Sequence, residues 1–278
     1  MILEKLLHIL EQKTSAAPEV FGAYHIFCLA LVIVATVLVV WRFKDASDKT
    51  IRILCFAVWL VITLLEILKQ IEGAYFIDIF GTPTWSYLWH SFPLQFCSTP
   101  YYCLPFIVFL PDGFWRRSFV AFFASFSLFA GLTVMIYPGD VFCATTFLNL
   151  QTMIHHGAMV ALGILMVAHS RRQMNRRHFL GGLLVFYVFA AVALVLNEVL
   201  YYTVLIDRPS EAVNLFFISR HYNSTLPLLA DIYKAVPYGL YLVIYFAGFT
   251  FAALLIFLIE KGIVSGIRKC KRGSAKAS

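Results

Sequence analysis

The chain has 278 residues, of which 61% are hydrophobic and 13% charged, and its mean hydropathy is +0.81. So little charge could not cover the surface of a soluble domain, and the composition points to a polytopic integral membrane protein. The net charge of +7 sits in short loops and at the C-terminal end rather than in a basic stripe, which leaves no footprint for nucleic acid.

Residues 1–20 set Ile2, Leu3, Leu6, Leu7, Ile9 and Leu10 against Glu4, Lys5, His8, Glu11 and Gln12. That pattern predicts an amphipathic helix lying in the membrane interface, too short and too charged to span. Seven apolar segments follow within residues 21–260, at about 22–41, 53–71, 86–110, 118–137, 148–168, 179–202 and 237–260. The expected fold is therefore all-α, a seven-transmembrane-helix bundle. Sixteen of the 22 lysines and arginines fall in the loops after the first, third, fifth and seventh segments, Arg171 and Arg172 among them. That bias places the N-terminus outside and the C-terminus in the cytoplasm. The outer connection, 203–236, is long and apolar, and reads as a lid or re-entrant piece. The basic tail, 261–278, reads as disordered.

The third segment is the most unusual. WSYLWHSFPLQFCSTPYYCLPFIVFL, from Trp85 to Leu110, contains Pro93, Pro100 and Pro105 together with His90, Gln95, Cys97 and Cys103. Each proline removes a backbone donor and strands a carbonyl one turn back, so such a segment has to pack against protein or line a cavity. Other spans bring polar residues to the same outer half of the membrane: Glu66 and Lys69 on the second, His155 and His156 on the fifth, Asn197 and Glu198 on the sixth. Asn214 lies in the outer connection. Convergence of this kind predicts an outward-facing pocket. The individual residues also have plainer roles open to them. Glu66 and Lys69 are three apart and can pair with each other; Gln95 can bond freed backbone; Asn197 and Glu198 can be interfacial. His155 and His156 point about 100° apart, so they cannot both face one point. No HxxxH or ExxH spacing supports a metal, and six cysteines without CxxC spacing suggest no zinc ribbon. Cys97 is open to three readings: a small buried hydrophobe, a disulfide partner of Cys143, or a nucleophile activated at a helix start after Pro93.

FPLQFCS (Phe92–Ser98), MIHHG (Met153–Gly157), NEV (Asn197–Val199) and AVNLFFI (Ala212–Ile218) together resemble the bacterial YwaF-like integral membrane family, which is related to the vertebrate transmembrane protein 164, a lipid acyltransferase. The resemblance implies a multi-pass protein, with the bacterial plasma membrane as its site. Its implied partners are membrane phospholipid and lysophospholipid, without a cofactor. It carries the catalytic cysteine onto Cys97 and the catalytic histidine onto His156. The bacterial pattern has a histidine two residues before the cysteine, where this chain has Gln95. The remaining polar residues, Glu66, Lys69, His90, Gln95, His155, Asn197, Glu198 and Asn214, then become expected substrate-binding groups, with Lys69, Gln95 or Asn197 as oxyanion donors. A transporter for a small polar or ionic substrate and a non-catalytic ligand sensor are the competing classes; the apolar inner halves of the spans argue against a through-pore.

Overall fold

The computed structural model describes residues 2–77, 82–169, 175–208 and 211–277, with side chains described between residues 5 and 262. The Arg171 and Arg172 charges and the side chains of the basic tail, Cys270 included, lie outside the described residues. Helix α1 (Ile2–Leu10) buries Leu7 and Leu10, so its apolar face packs onto protein. The stretch after it pairs with the connection before the fifth predicted span: Lys13 bridges Thr145, and the Thr14 amide donates to the Ala144 carbonyl at 2.8 Å.

Helix α2 (Ala23–Phe43) presents mostly exposed aliphatic side chains, as a lipid-facing helix does. Helix α3 (Asp48–Ala74) starts at the cap Ser47, whose hydroxyl accepts from the Thr50 amide, with Asp48 favourably placed at the positive end of the dipole. It ends in a small antiparallel hairpin, β1 (Tyr75–Ile77) with β2 (Pro83–Trp85), in the register Tyr75↔Trp85.

Among the described residues, six helices are long and apolar enough to cross a membrane. The expected third one is not a continuous helix. Two 3₁₀ turns, Trp89–Ser91 and Phe96–Ser98, lead into the ten-residue helix α4 (Pro100–Phe109). The prolines explain this: Pro93 separates the two turns, Pro100 opens α4 where its missing N–H costs nothing, and Pro105 limits its ladder. The segment nevertheless runs beside α3 from end to end, antiparallel to it. Gln70 donates to the Ser91 carbonyl at 2.7 Å, Tyr101 to Glu66 at 3.0 Å and Trp59 to the Tyr101 carbonyl at 2.9 Å. At the far end Arg52 donates to the carbonyls of Val108 and Leu110, and the fully buried Arg116 to that of Ile107 at 2.6 Å. Two guanidinium groups thus satisfy the carbonyls left open at the end of α4.

Helices α5 (Phe114–Phe122) and α6 (Leu128–Ile136) form one span interrupted by a π-helical turn at Phe123–Ser127, where Ser125 donates back to the Ala121 carbonyl at 2.7 Å. Helix α7 (Thr146–Ala168) is the most buried element with this span. His25 ties α2 to α6: the Phe21 amide donates to its Nδ1 at 2.9 Å, and its Nε2 donates to the Met135 carbonyl at 2.8 Å. Helix α8 (Arg176–Thr203), capped by Asn175, packs so closely on α5 that a Cβ on Gly182 would lie 2.8 Å from the Phe122 backbone nitrogen. After α8 the chain passes through 3₁₀ turns at Leu205–Asp207 and Leu215–Phe217 and the short α9 (Leu229–Ala235) into α10 (Tyr238–Ala277). The backbone of α10 stays helical through the tail that the sequence predicts to be disordered. The outer connection is not a solvated loop: Val213, Leu215, Phe216 and Ile218 are all buried.

Candidate functional site

Glu66 is the centre of a polar cluster. Its Oε1 accepts from Lys69 at 2.9 Å and from Gln70 at 2.7 Å; its Oε2 accepts from Tyr101 at 3.0 Å and Gln151 at 3.3 Å. The expected Glu66–Lys69 pair exists, and it is one part of a hub joining α3, α4 and α7. A buried carboxylate is tolerated at such depth only when its lone pairs are filled in this way. Gln70, Tyr101 and Gln151 are not among the residues predicted for the site. Gln151 precedes His155 by four residues, so helical spacing alone would have put the two on one face.

A cavity of about 380 Å³ opens beside this hub. Its lining includes Thr63, Glu66 and Gln70 from α3, Trp85 at the end of the hairpin and Tyr87 after it, and Pro93 and Tyr101, which stand four residues either side of Cys97. Cys97 itself does not line the cavity. It sits at the centre of the 3₁₀ turn Phe96–Ser98, half-buried, and both Cys97 and Cys143 are free thiols. The alternative of a Cys97–Cys143 disulfide is therefore absent.

The two adjacent histidines diverge as helical geometry demands, their rings edge to face at 5.1 Å. His155 Nε2 meets the Cys97 carbonyl at 2.8 Å, and His156 Nδ1 meets the Thr152 carbonyl at 2.8 Å. A carbonyl only accepts, so each of these nitrogens carries the proton. The opposite nitrogens, His155 Nδ1 and His156 Nε2, are buried without a hydrogen-bond partner, so neither imidazole bonds the thiol in this state. His155 also packs on the Tyr101 ring at 4.8 Å, linking the histidines to the Glu66 hub.

The other predicted polar residues form a second group. Both amide atoms of Gln95 engage the outer connection: Nε2 donates to the Asn214 carbonyl at 3.0 Å, and Oε1 accepts from the Phe216 amide at 2.9 Å. Asn197 does the same to Leu215, donating to its carbonyl at 3.0 Å and accepting from its amide at 2.8 Å. The Asn214 side chain accepts from the Ser219 amide at 2.8 Å and donates to the carbonyls of Tyr222 and Asn223. Tyr241 and Tyr238 donate to the carbonyls of Phe217 and Ile218 at 2.6 and 2.7 Å. These bonds hold two consecutive phenylalanines, Phe216 and Phe217, at φ 56° and 57°. That left-handed conformation costs an order of 1–3 kcal/mol per bulky residue and persists only where the surroundings over-determine it. Gln95, Asn197 and Asn214 are thus committed to backbone, whereas Lys69, the other expected oxyanion donor, holds its ammonium on the Glu66 carboxylate at 2.9 Å. Glu198 pairs with Arg220 at 3.6 Å and His221 at 3.2 Å, and His221 stacks on Tyr201 at 3.5 Å, outside the hub. His90 is exposed and does not join the cluster.

Comparison with known proteins gives a single positive finding. The model of the TMEM164 family matches residues 20–260, which takes in the hub, the Cys97 turn and the outer connection. No curated protein and no solved structure matches the chain. With the match running from just before α2 into the last apolar helix, the chain belongs to the TMEM164 family.

Proposed function

We propose that this protein is a membrane-embedded acyltransferase that moves a fatty acyl chain between phospholipid and lysophospholipid, with Cys97 as nucleophile and His156 as general base. The observation that carries this reading is a free, half-buried thiol on an irregular turn, bound through its own carbonyl to a buried histidine, next to a second imidazole with an unpartnered nitrogen. A base held by one N–H with its other lone pair bare is the arrangement general-base catalysis asks for, and catalytic contacts of this kind commonly close only when substrate is bound.

In the reaction, His156 Nε2 takes the Cys97 proton as Sγ attacks the ester carbonyl of the donor lipid. The tetrahedral intermediate collapses, the C–O bond breaks, and the leaving glycerol oxygen takes the proton back from His156, leaving an acyl thioester. The hydroxyl of a lysophospholipid then attacks the thioester, again giving its proton to His156; the C–S bond breaks and the thiolate recovers that proton. Lys69, whose ammonium has N–H groups beyond the one on Glu66, serves the developing oxyanion. The apolar cavity beside Glu66 accommodates lipid, and the buried outer connection keeps water from the thioester.

The run of contacts along α3 supports counting the broken third segment as a full crossing, which makes seven in all. With the positive charge bias, that count gives an outer N-terminus and a cytoplasmic C-terminus. The test is a purified Cys97→Ala protein offered labelled phospholipid and unlabelled lysophospholipid. Transfer is expected to vanish; exchange equal to wild type would sink the nucleophile assignment.

A further inference from the structure

Gln95 and Asn197 flank the site but touch nothing that could be substrate. Each amide instead behaves like a neighbouring β-strand, accepting from one backbone N–H and donating to a carbonyl of the 214–216 stretch. We infer that Gln95 and Asn197 are positioning residues for the Cys97 thiol, acting through the backbone of Leu215 and Phe216; the inference rests on the acyl-transfer reading given above.

The chain of contact is continuous. Asn197 on α8 fixes Leu215, and Gln95 fixes the residues on either side of it. The Phe216 ring then meets Phe96 at 5.9 Å. Phe96 is enclosed on its other sides by Phe126 from the π-helical turn at 6.4 Å, Phe186 at 5.7 Å and Phe249 at 4.8 Å. Residue 97 is next, and its carbonyl accepts from His155 Nε2 on α7 at 2.8 Å. Three consecutive residues, 95, 96 and 97, are therefore fixed at three points by five different elements. The 3₁₀ turn makes few bonds of its own, so the thiol's direction depends on these outside holds rather than on a helix ladder. The left-handed Phe216 and Phe217 fit the same account: a relaxed backbone there would withdraw the Phe216 ring and amide from Phe96 and Gln95.

The experiment uses full-length purified protein and reads two things: the rate at which N-ethylmaleimide labels Cys97 across pH, followed by mass spectrometry of its peptide, and acyl-transfer kinetics. Gln95→Met removes both amide bonds at nearly constant volume. It is expected to change Cys97 labelling by about fivefold or more, since the loss of even one of the two hydrogen bonds carries a shift of about that size. It is also expected to lower kcat about tenfold or more with KM unchanged. Asn149→Leu is the control. Asn149 clamps backbone in the same manner, donating to the Cys143 carbonyl and accepting from its amide, away from the Cys97 turn. It should leave Cys97 labelling at the wild-type rate. Equal labelling in Gln95→Met and wild type, or equal change in the two variants, would overturn the inference. Should Gln95→Met not fold, Tyr241→Phe removes a single hydroxyl from the Phe217 carbonyl and is read in the same way. Labelling needs no turnover, so it distinguishes failure of the positioning role from failure of the enzymatic reading, which Cys97→Ala reports.

Discussion

Replacing Glu66 by Gln tests whether the polar hub holds α3, α4 and α7 together. The carboxylate accepts four donors, two on each oxygen. An amide in its place keeps one oxygen and turns an NH₂ towards two groups that are themselves donors, so two hydrogen bonds to a charged acceptor are lost along with the ion pair. Breaking one partner of a buried pair costs about 3–5 kcal/mol. The lower end applies, because the Lys69 side chain is 29% exposed and can reach water, while Glu66 is 7% exposed. For a chain of this size about 3 kcal/mol corresponds to a melting-point drop of roughly 6–12 °C. The drop is measurable by tryptophan fluorescence in detergent, with Trp59 reporting on the Tyr101 carbonyl beside the hub. Glu66→Leu should cost more than Glu66→Gln, and adding Lys69→Leu should recover part of the loss, because removing both charges relieves the buried cation. A Glu66→Gln protein melting within 2 °C of wild type (about 1 kcal/mol or less) would refute this account.

Three further outcomes follow from the packing. Gly182→Ala should destabilise by about 1–3 kcal/mol, since the new Cβ meets the Phe122 backbone rather than a movable side chain, and the loss should appear as a lower melting temperature. His25→Leu should cost about 1–3 kcal/mol by leaving the Phe21 amide and the Met135 carbonyl unpaired, with faster amide exchange at Phe21 as its local signature. In the loop between α4 and α5, the hydrogen bond from Arg117 holds the Asp112 carboxyl below its ordinary value. A carboxyl depressed in the folded state adds stability above its unfolded pKa and loses it as pH falls through the folded one. Asp112→Asn should therefore lower stability at pH 7 by well under 1 kcal/mol, the pair being nearly half exposed, and the difference from wild type should vanish as pH falls below about 4.

Hydropathy and length were enough to place six spans, because lipid admits few ways of satisfying a backbone. The Trp85–Leu110 stretch was recognisable as unusual for the same reason, yet its path was not, since prolines say where a helix fails and not what replaces it. Glu66, Lys69 and the two histidines were found as polar residues at one depth. Tyr101 and Gln151 are not among the residues the sequence predicts for the site; only the packing of α4 and α7 on α3 brings them to Glu66. Gln95, Asn197 and Asn214 are expected from the sequence as substrate-binding groups, with bonding to freed backbone also open to Gln95. Their partners are backbone atoms of a left-handed turn that no pattern in LFF announces, because phenylalanine disfavours that conformation. His90 stands out in the sequence as a polar residue of the proline-broken Trp85–Leu110 segment, and in the structure it lies exposed on a 3₁₀ turn.

The run of contacts along α3 also works as a depth gauge. The helix has 27 residues and so spans about 40 Å, overhanging a hydrocarbon layer of about 30 Å by about 5 Å at each end. Glu66 lies eight residues, about 12 Å, from the Ala74 end, which puts the hub about 7 Å beneath the hydrocarbon boundary. Ester linkages of a resting lipid sit at that boundary. On the proposed acyl-transfer reading, a lipid would have to be drawn inward by about a helical turn, or the bilayer to thin around the protein by the same amount, and the work of that displacement would belong to the barrier of the reaction.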